Sequence, residues 1–192
     1  NVFKNNDAGI AVMYSRNVGM FKNKFLENWG DGVYGLLLKD LTFSKIKNNI
    51  FRNNTVGIFM DGASKVDLYH NEFVNNGWGL KINANCMENR LMNNNFENNT
   101  FDVSTSGSLV MNSFRNNYWD KYEGYDLDKD KIGDVPFHPL SLYAVLAEKN
   151  SMIMLLYRTF FVEILDRSEK LVPSLTPENF VDEQPMMKPN KI

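Results

Sequence analysis

The chain has 192 residues, 43% of them hydrophobic, and a formal net charge of −2. That is enough apolar material to bury a core, and the near balance of charge excludes a general binder of nucleic acid or anionic membrane. A single cysteine, Cys86, excludes an intrachain disulfide framework.

The first two thirds of the chain repeat one phrase. Phe3, Phe25, Phe51, Phe73, Phe96 and Phe114 are each followed by Asn-Asn or Glu-Asn two and three residues later, at spacings of 22, 26, 22, 23 and 18. Seven and nine residues on come Ile10 and Val12, Ile58 and Met60, Leu80 and Ile82, and Val103 and Thr105, with Gly9, Gly57 and Gly79 just ahead of the first three pairs. Allowing four extra residues in the second unit brings Gly35-Leu36-Leu37-Leu38 into the same register. Met20, Ile46, Leu68, Leu91 and Leu109 form a third apolar column, five residues before the next phenylalanine.

Self-similarity at this period marks a solenoid, and alternation within each stretch marks strand rather than helix. Three short strands and three turns per unit predict a right-handed parallel β-helix, an all-β solenoid whose coils rise about 4.8 Å. Phenylalanines and aliphatics stack inside. Asparagine takes the corner, because it tolerates left-handed backbone and its amide both donates and accepts. The chain opens on Asn1 in mid-repeat, as expected of the C-terminal portion of a longer protein whose first coil is an uncapped edge.

Residues 1–117 hold 24 asparagines and residues 118–192 hold 3, which places a boundary after the coils. The predicted units are coils over 1–117, an aromatic, Asp-rich cap loop over 118–139, and a helical and Pro-rich tail over 140–192. Within the coils, Asp40 and Asp61 come nearest to the paired carboxylates that a polysaccharide-cleaving site needs, but Lys39 and Asn83 interrupt their column. Trp29 and Trp78 are either sugar-stacking platforms or corner-packing aromatics. Cys86-Met87 offers two soft sulfurs for Cu(I), or a small buried hydrophobe beside a methionine.

In the cap, Asp126, Asp128, Asp130 and Asp134 match positions 1, 3, 5 and 9 of a calcium loop, but Lys131 stands where such a loop needs Gly and Phe137 where it needs a bidentate Glu. The alternatives are a Ca²⁺ site and an acidic turn neutralised by Lys121, Lys129 and Lys131. In the tail, Ser141 to Lys149 and Ser151 to Lys170 are predicted helices, the second capped by its Ser and ending before Pro173. Its apolar part is broken by Arg158 and too short to span a bilayer. Beyond Pro173 the chain should run extended along a surface.

The run Asn117-Tyr118-Trp119-Asp120, Gly124-Tyr125-Asp126-Leu127-Asp128, Ile132-Gly133-Asp134-Val135-Pro136 and His138-Pro139-Leu140 resembles the C-terminal part of the NosD family. The likeness continues through Leu155-Leu156-Tyr157-Arg158, Val172-Pro173-Ser174-Leu175-Thr176-Pro177 and Pro185-Met186-Met187-Lys188-Pro189. The resemblance implies a periplasmic, non-catalytic accessory in maturation of the copper sites of nitrous oxide reductase. It further implies an ABC transporter membrane subunit and a copper chaperone as partners, membrane contact only through the partner, no nucleic acid, and copper as transient cargo. The docking residues expected in the tail are Leu155, Leu156, Phe160, Phe161, Leu165 and Pro185. The expected Cu(I) thioethers are Met186 and Met187, then Met152 and Met154. The rival class is a β-helix protein that binds or cleaves carbohydrate.

Overall fold

The computed structural model describes residues 1–107, 111–156, 159, 160, 162, 164, 165 and 180–192, with Lys149, Ser151, Met154 and Leu155 by backbone alone. Five coils of three strands each are wound in order. The first holds β1 (Val2–Lys4), β2 (Ala8–Met13) and β3 (Gly19–Phe21), and the second β4 (Lys24–Leu26), β5 (Tyr34–Lys39) and β6 (Lys45–Lys47). The third holds β7 (Ile50–Arg52), β8 (Val56–Asp61) and β9 (Asp67–Tyr69), and the fourth β10 (Glu72–Val74), β11 (Trp78–Ile82) and β12 (Arg90–Met92). The fifth holds β13 (Asn95–Glu97), β14 (Phe101–Thr105) and β15 (Ser113–Arg115), and β16 (Tyr118–Trp119) begins a sixth turn. Every pairing within the three sheets is parallel: β1-β4-β7-β10-β13-β16, β2-β5-β8-β11-β14 and β3-β6-β9-β12-β15.

The phenylalanine column stacks inside. Phe3, Phe25, Phe51, Phe73 and Phe96 follow one another at ring-centroid distances of 5.2, 4.8, 5.1 and 4.6 Å, and Phe25 to Phe96 are fully buried. Each stacked pair adds about 0.5–1.5 kcal/mol to what burial alone contributes. The glycine column lets successive coils approach closely: a Cβ on Gly57 would stand 2.5 Å from the Gly79 carbonyl oxygen of the next coil, and 3.1 Å from the Phe73 ring.

One registration is corrected. Trp119, not Phe114, continues the phenylalanine column, stacking on Phe96 at 4.3 Å. Phe114 instead pairs with Leu91 and completes the column of Met20, Ile46, Leu68 and Leu91, while Leu109 lies outside the described residues. The cause is that asparagine doublets occupy two corners, so a doublet does not say which corner it marks. At one corner the column is Asn5, Glu27, Asn53, Asn75, Asn98, and at the next it is Lys22, Asn48, His70, Asn93, Asn116, all with φ of 53° to 56°. The residue after each is a ladder residue: the first ladder is Asn6, Asn28, Asn54, Asn76, Asn99, and the second Asn23, Asn49, Asn71, Asn94, Asn117. The doublet thus divides the work. Its first member makes the left-handed turn at the exposed or half-buried outside of the corner, and its second points inward and hydrogen-bonds along the axis.

The four extra residues of the second unit fall in the loop between β4 and β5, where Gly30 is tied to Thr55 Oγ1 and Trp29 stands 56% exposed. After β16 the chain crosses the open end of the solenoid. Tyr122 donates to the Val135 carbonyl at 2.7 Å, and Phe137 packs on Trp119 at 5.4 Å. Helix α1 (Leu142–Lys149) is capped by Ser141, whose hydroxyl accepts from the Ala144 N–H at 3.1 Å. It is fastened to the coils by Tyr143 against Phe101 and by a 2.8 Å Lys81–Glu148 pair.

Two further expectations for the tail are revised. Ser151–Leu156 form a 3-10 helix rather than the start of one long α-helix, because Asn150 ends α1 in extended backbone and its Oδ1 takes the Met152 N–H. Phe160, Val162, Ile164 and Leu165 have helical backbone, and 166–179 lie outside the described residues. The last segment does not simply lie on a surface. Phe180 and Asp182 are fully buried, and Asp182 and Met186 bridge Phe114 and Tyr118 in parallel and Phe137 and Ile132 in antiparallel fashion, adding a partial rung over the fifth coil.

Candidate functional site

Each candidate surface has its own chemistry. The two coil carboxylates singled out by the sequence, Asp40 and Asp61, have separate partners. Asp61 accepts from the amides of Asn83 and Asn85, both at 3.0 Å, and these bonds hold it below its ordinary pKa. Its nearest cation is Lys39 at 3.8 Å, and Asp40 lies against Gly62. Trp78 packs on Phe101 at 5.5 Å with Lys81 over its ring at 4.9 Å, so it is a corner aromatic, whereas Trp29 is presented to solvent.

The sulfurs divide sharply by environment. Cys86 is fully buried and its thiol is pushed up to about 11 by burial, so it remains a neutral core group with a weak contact to Asn85 Oδ1 at 3.7 Å. Its neighbour Met87 faces the other way and is 46% exposed. Met20 and Met60 are core residues, whereas Met13, Met111 and Met152 are exposed.

In the cap loop, Asp126, Asp128 and Asp130 bring carboxylate oxygens within 4.8 Å of one another. Lys129 and Lys131 take φ of 64° and 77°, supplying the left-handed turns for which glycine is the usual choice. Asp134 does not join them: its Oδ2 accepts from the Leu127 N–H at 2.7 Å and fastens the base of the loop. The acids are partly engaged by their own backbone, Asp126 taking the Lys131 N–H at 2.9 Å and Asp130 the Ile132 N–H at 2.7 Å. The Asp130 N–H bond pulls Asp128 down, but burial and the carboxylates of Asp130, Asp126 and Asp134 outweigh it and raise its pKa. Lys121, expected to neutralise this turn, reaches Asp102 instead, at 3.1 Å.

The tail residues separate into cap and surface. Pro185 is buried and its carbonyl accepts from Gly133 at 2.7 Å. Met186 and Met187 are half-buried, with backbone N–H groups bonded to Asn117 and Lys131 at 2.9 and 3.0 Å, so these two methionines are built into the end cap. Of the expected docking residues, Leu165 is half-buried against the core, and Leu156 and Phe160 are 40% and 74% exposed. The side chain of Leu155 and all of Phe161 lie outside the described residues, as does the side chain of Met154. Met152 and Ile164 are likewise 75% and 44% exposed. Val162 is buried and belongs to the core cluster. Sequence reasoning missed Ile164; its place in the same apolar stretch as Phe160 and Leu165 was the signal that could have found it.

The comparisons bear on the coils above all. A family model described as periplasmic copper-binding protein (NosD) matches residues 1–124, which takes in all five coils and the start of the cap and stops before the aspartate loop. A search of curated proteins gives no match.

Proposed function

Because the chain belongs to the NosD family of periplasmic copper-binding proteins, we propose that it is a non-catalytic accessory in maturation of the copper sites of nitrous oxide reductase, with Cu(I) as its cargo. It docks through its tail on the membrane subunit of an ABC transporter. The observation that carries the docking is the exposure of four large apolar side chains of the tail, Met152, Leu156, Phe160 and Ile164, while Val162 is buried in the core. Several large apolar side chains exposed within one short segment are an ordinary mark of a protein contact.

The donor chemistry suits this cargo. Exposed thioethers bind Cu(I) without first losing a proton, whereas the carboxylates of the cap loop are hard ligands and suit Ca²⁺.

Deleting everything after Pro173 is a poor test, since it also removes Phe180 and Asp182 from the cap. The better variant is Leu156→Ser with Phe160→Ser, two surface changes. It should abolish co-purification with the transporter membrane subunit at unchanged melting temperature. Undiminished capture by this variant would move the docking surface elsewhere.

A further inference from the structure

The corner between the second and third sheets is built from two columns. One is Arg16, Thr42, Ser64 and Met87, joined by parallel bridges. The next is Asn17, Phe43, Lys65, Glu88 and Met111, all in left-handed backbone. Met87 and Met111 thus sit on consecutive coils, one residue apart in register. The tie between those coils is the Asn112 amide, which donates to the Cys86 carbonyl at 3.0 Å, and the Asn89 N–H, which donates to Asn112 Oδ1 at 3.0 Å. One coil of rise and one residue of offset put their Cα atoms on the order of 6 Å apart, within joint reach of two flexible thioether arms.

Packing does not account for methionine at either place. Met87 is 46% exposed and Met111 62% exposed, in columns whose other members are mostly polar, while the apolar columns of the interior are buried almost completely. The hard donor nearby, Glu88, is directed to Lys65 at 3.7 Å. Cys86 turns its sulfur into the core. An open groove of about 520 Å³ runs from Phe43 past Lys65 and Arg90 to Met111 and Ser113, giving a second protein access to this end of the corner.

We infer that Met87 and Met111 together form a Cu(I) site of two thioethers on the flank of the solenoid, separate from the tail methionines. This rests on the copper reading of the chain and adds where the ion is held. Two uncharged soft donors leave Cu(I) coordinatively open, so a ligand from a delivering or receiving protein can complete the exchange. Because a thioether has no proton to lose, retention is independent of pH through the range where a cysteine or histidine site would weaken.

The test is anaerobic titration of the whole chain, labelled with ¹³C at the methionine methyls, with Cu(I) and separately with Ag(I). The methyl signals assigned through Met87→Leu and Met111→Leu should move first, at substoichiometric metal. Those of Met186 and Met187 should stay, and the double variant should lose Cu(I) to a chelator that the parent withstands. Leucine is close to methionine in volume and both positions are exposed, so the fold is kept. If the parent binds metal while other methyls respond and these two do not, the site assigned here is wrong and the copper reading stands. If the parent retains no Cu(I) and no methyl moves, both fall.

Discussion

Asn117 gives its backbone N–H and its amide N–H to one oxygen, Oδ2 of Asp182, at 3.0 and 2.9 Å, across 65 residues of sequence. Each ladder asparagine makes the same pair of bonds to the Oδ1 of the asparagine one coil on, so every ladder delivers two unspent donors to its C-terminal end. Asp182 is the acceptor that ends the second ladder, and it takes the Trp119 indole N–H as well, at 3.1 Å. The first ladder ends likewise on a buried carboxylate, Asn99 Nδ2 donating to Asp102 Oδ1 at 3.2 Å. A carboxylate suits both ends because it accepts without donating and opposes the row of aligned amide dipoles.

Asp182→Ala should therefore cost about 3 kcal/mol or more, since it leaves three buried donors without an acceptor. Asp182→Asn, which keeps an acceptor but not the charge, should cost less. Chemical denaturation measures the difference, and hydrogen exchange should show protection lost at Asn117 and Trp119 before the second and third coils. Equal loss of protection along the whole solenoid would show that the cap acts globally.

Phe73 lies between Phe51 and Phe96 at 5.1 and 4.6 Å, fully buried. Phe73→Ala should destabilise by about 3–5 kcal/mol, against about 1–2 kcal/mol for alanine at the exposed turn residue Asn75, whose cost is the left-handed backbone at φ 54°. Urea unfolding of the two variants makes the comparison directly.

Burial raises the pKa of Asp102 from its ordinary 3.8, and Lys121 only partly opposes the rise. A carboxyl whose folded pKa is raised contributes stability that is complete below its unfolded pKa and is lost as pH rises through the folded one. Melting temperature should accordingly fall between acid and neutral pH through this group. Asp102→Asn, which still offers Asn99 an acceptor, should flatten that part of the profile, and a parallel shift of the whole curve would instead mean a loss of packing.

Millimolar calcium should raise the melting temperature if the Asp126, Asp128 and Asp130 oxygens close on the ion. Asp128→Asn should remove that rise while leaving the metal-free midpoint in place. An unchanged midpoint of the parent chain leaves an acidic turn held by its own backbone bonds.

The coil architecture was legible in the sequence because a solenoid writes itself locally: Phe25, Gly35, Leu36 and Leu38 of one coil meet the same residue types one repeat later, so periodicity alone places them. The asparagine doublets were legible as corners but not as two different corners, and Phe114 was placed in the wrong column for that reason. Tertiary structure alone decided the ends. Nothing in a repeat says which residue completes the ladder after its last coil, and Asp182 does so from beyond a long excursion through the cap and tail. The same contacts bury Pro185 and half-bury Met186 and Met187, while the coil winding brings Met87 and Met111, 24 residues apart in sequence, to the same corner on consecutive coils. Side-chain exposure depends on what the chain brings over each residue, and that is fixed by long-range closure rather than by local pattern.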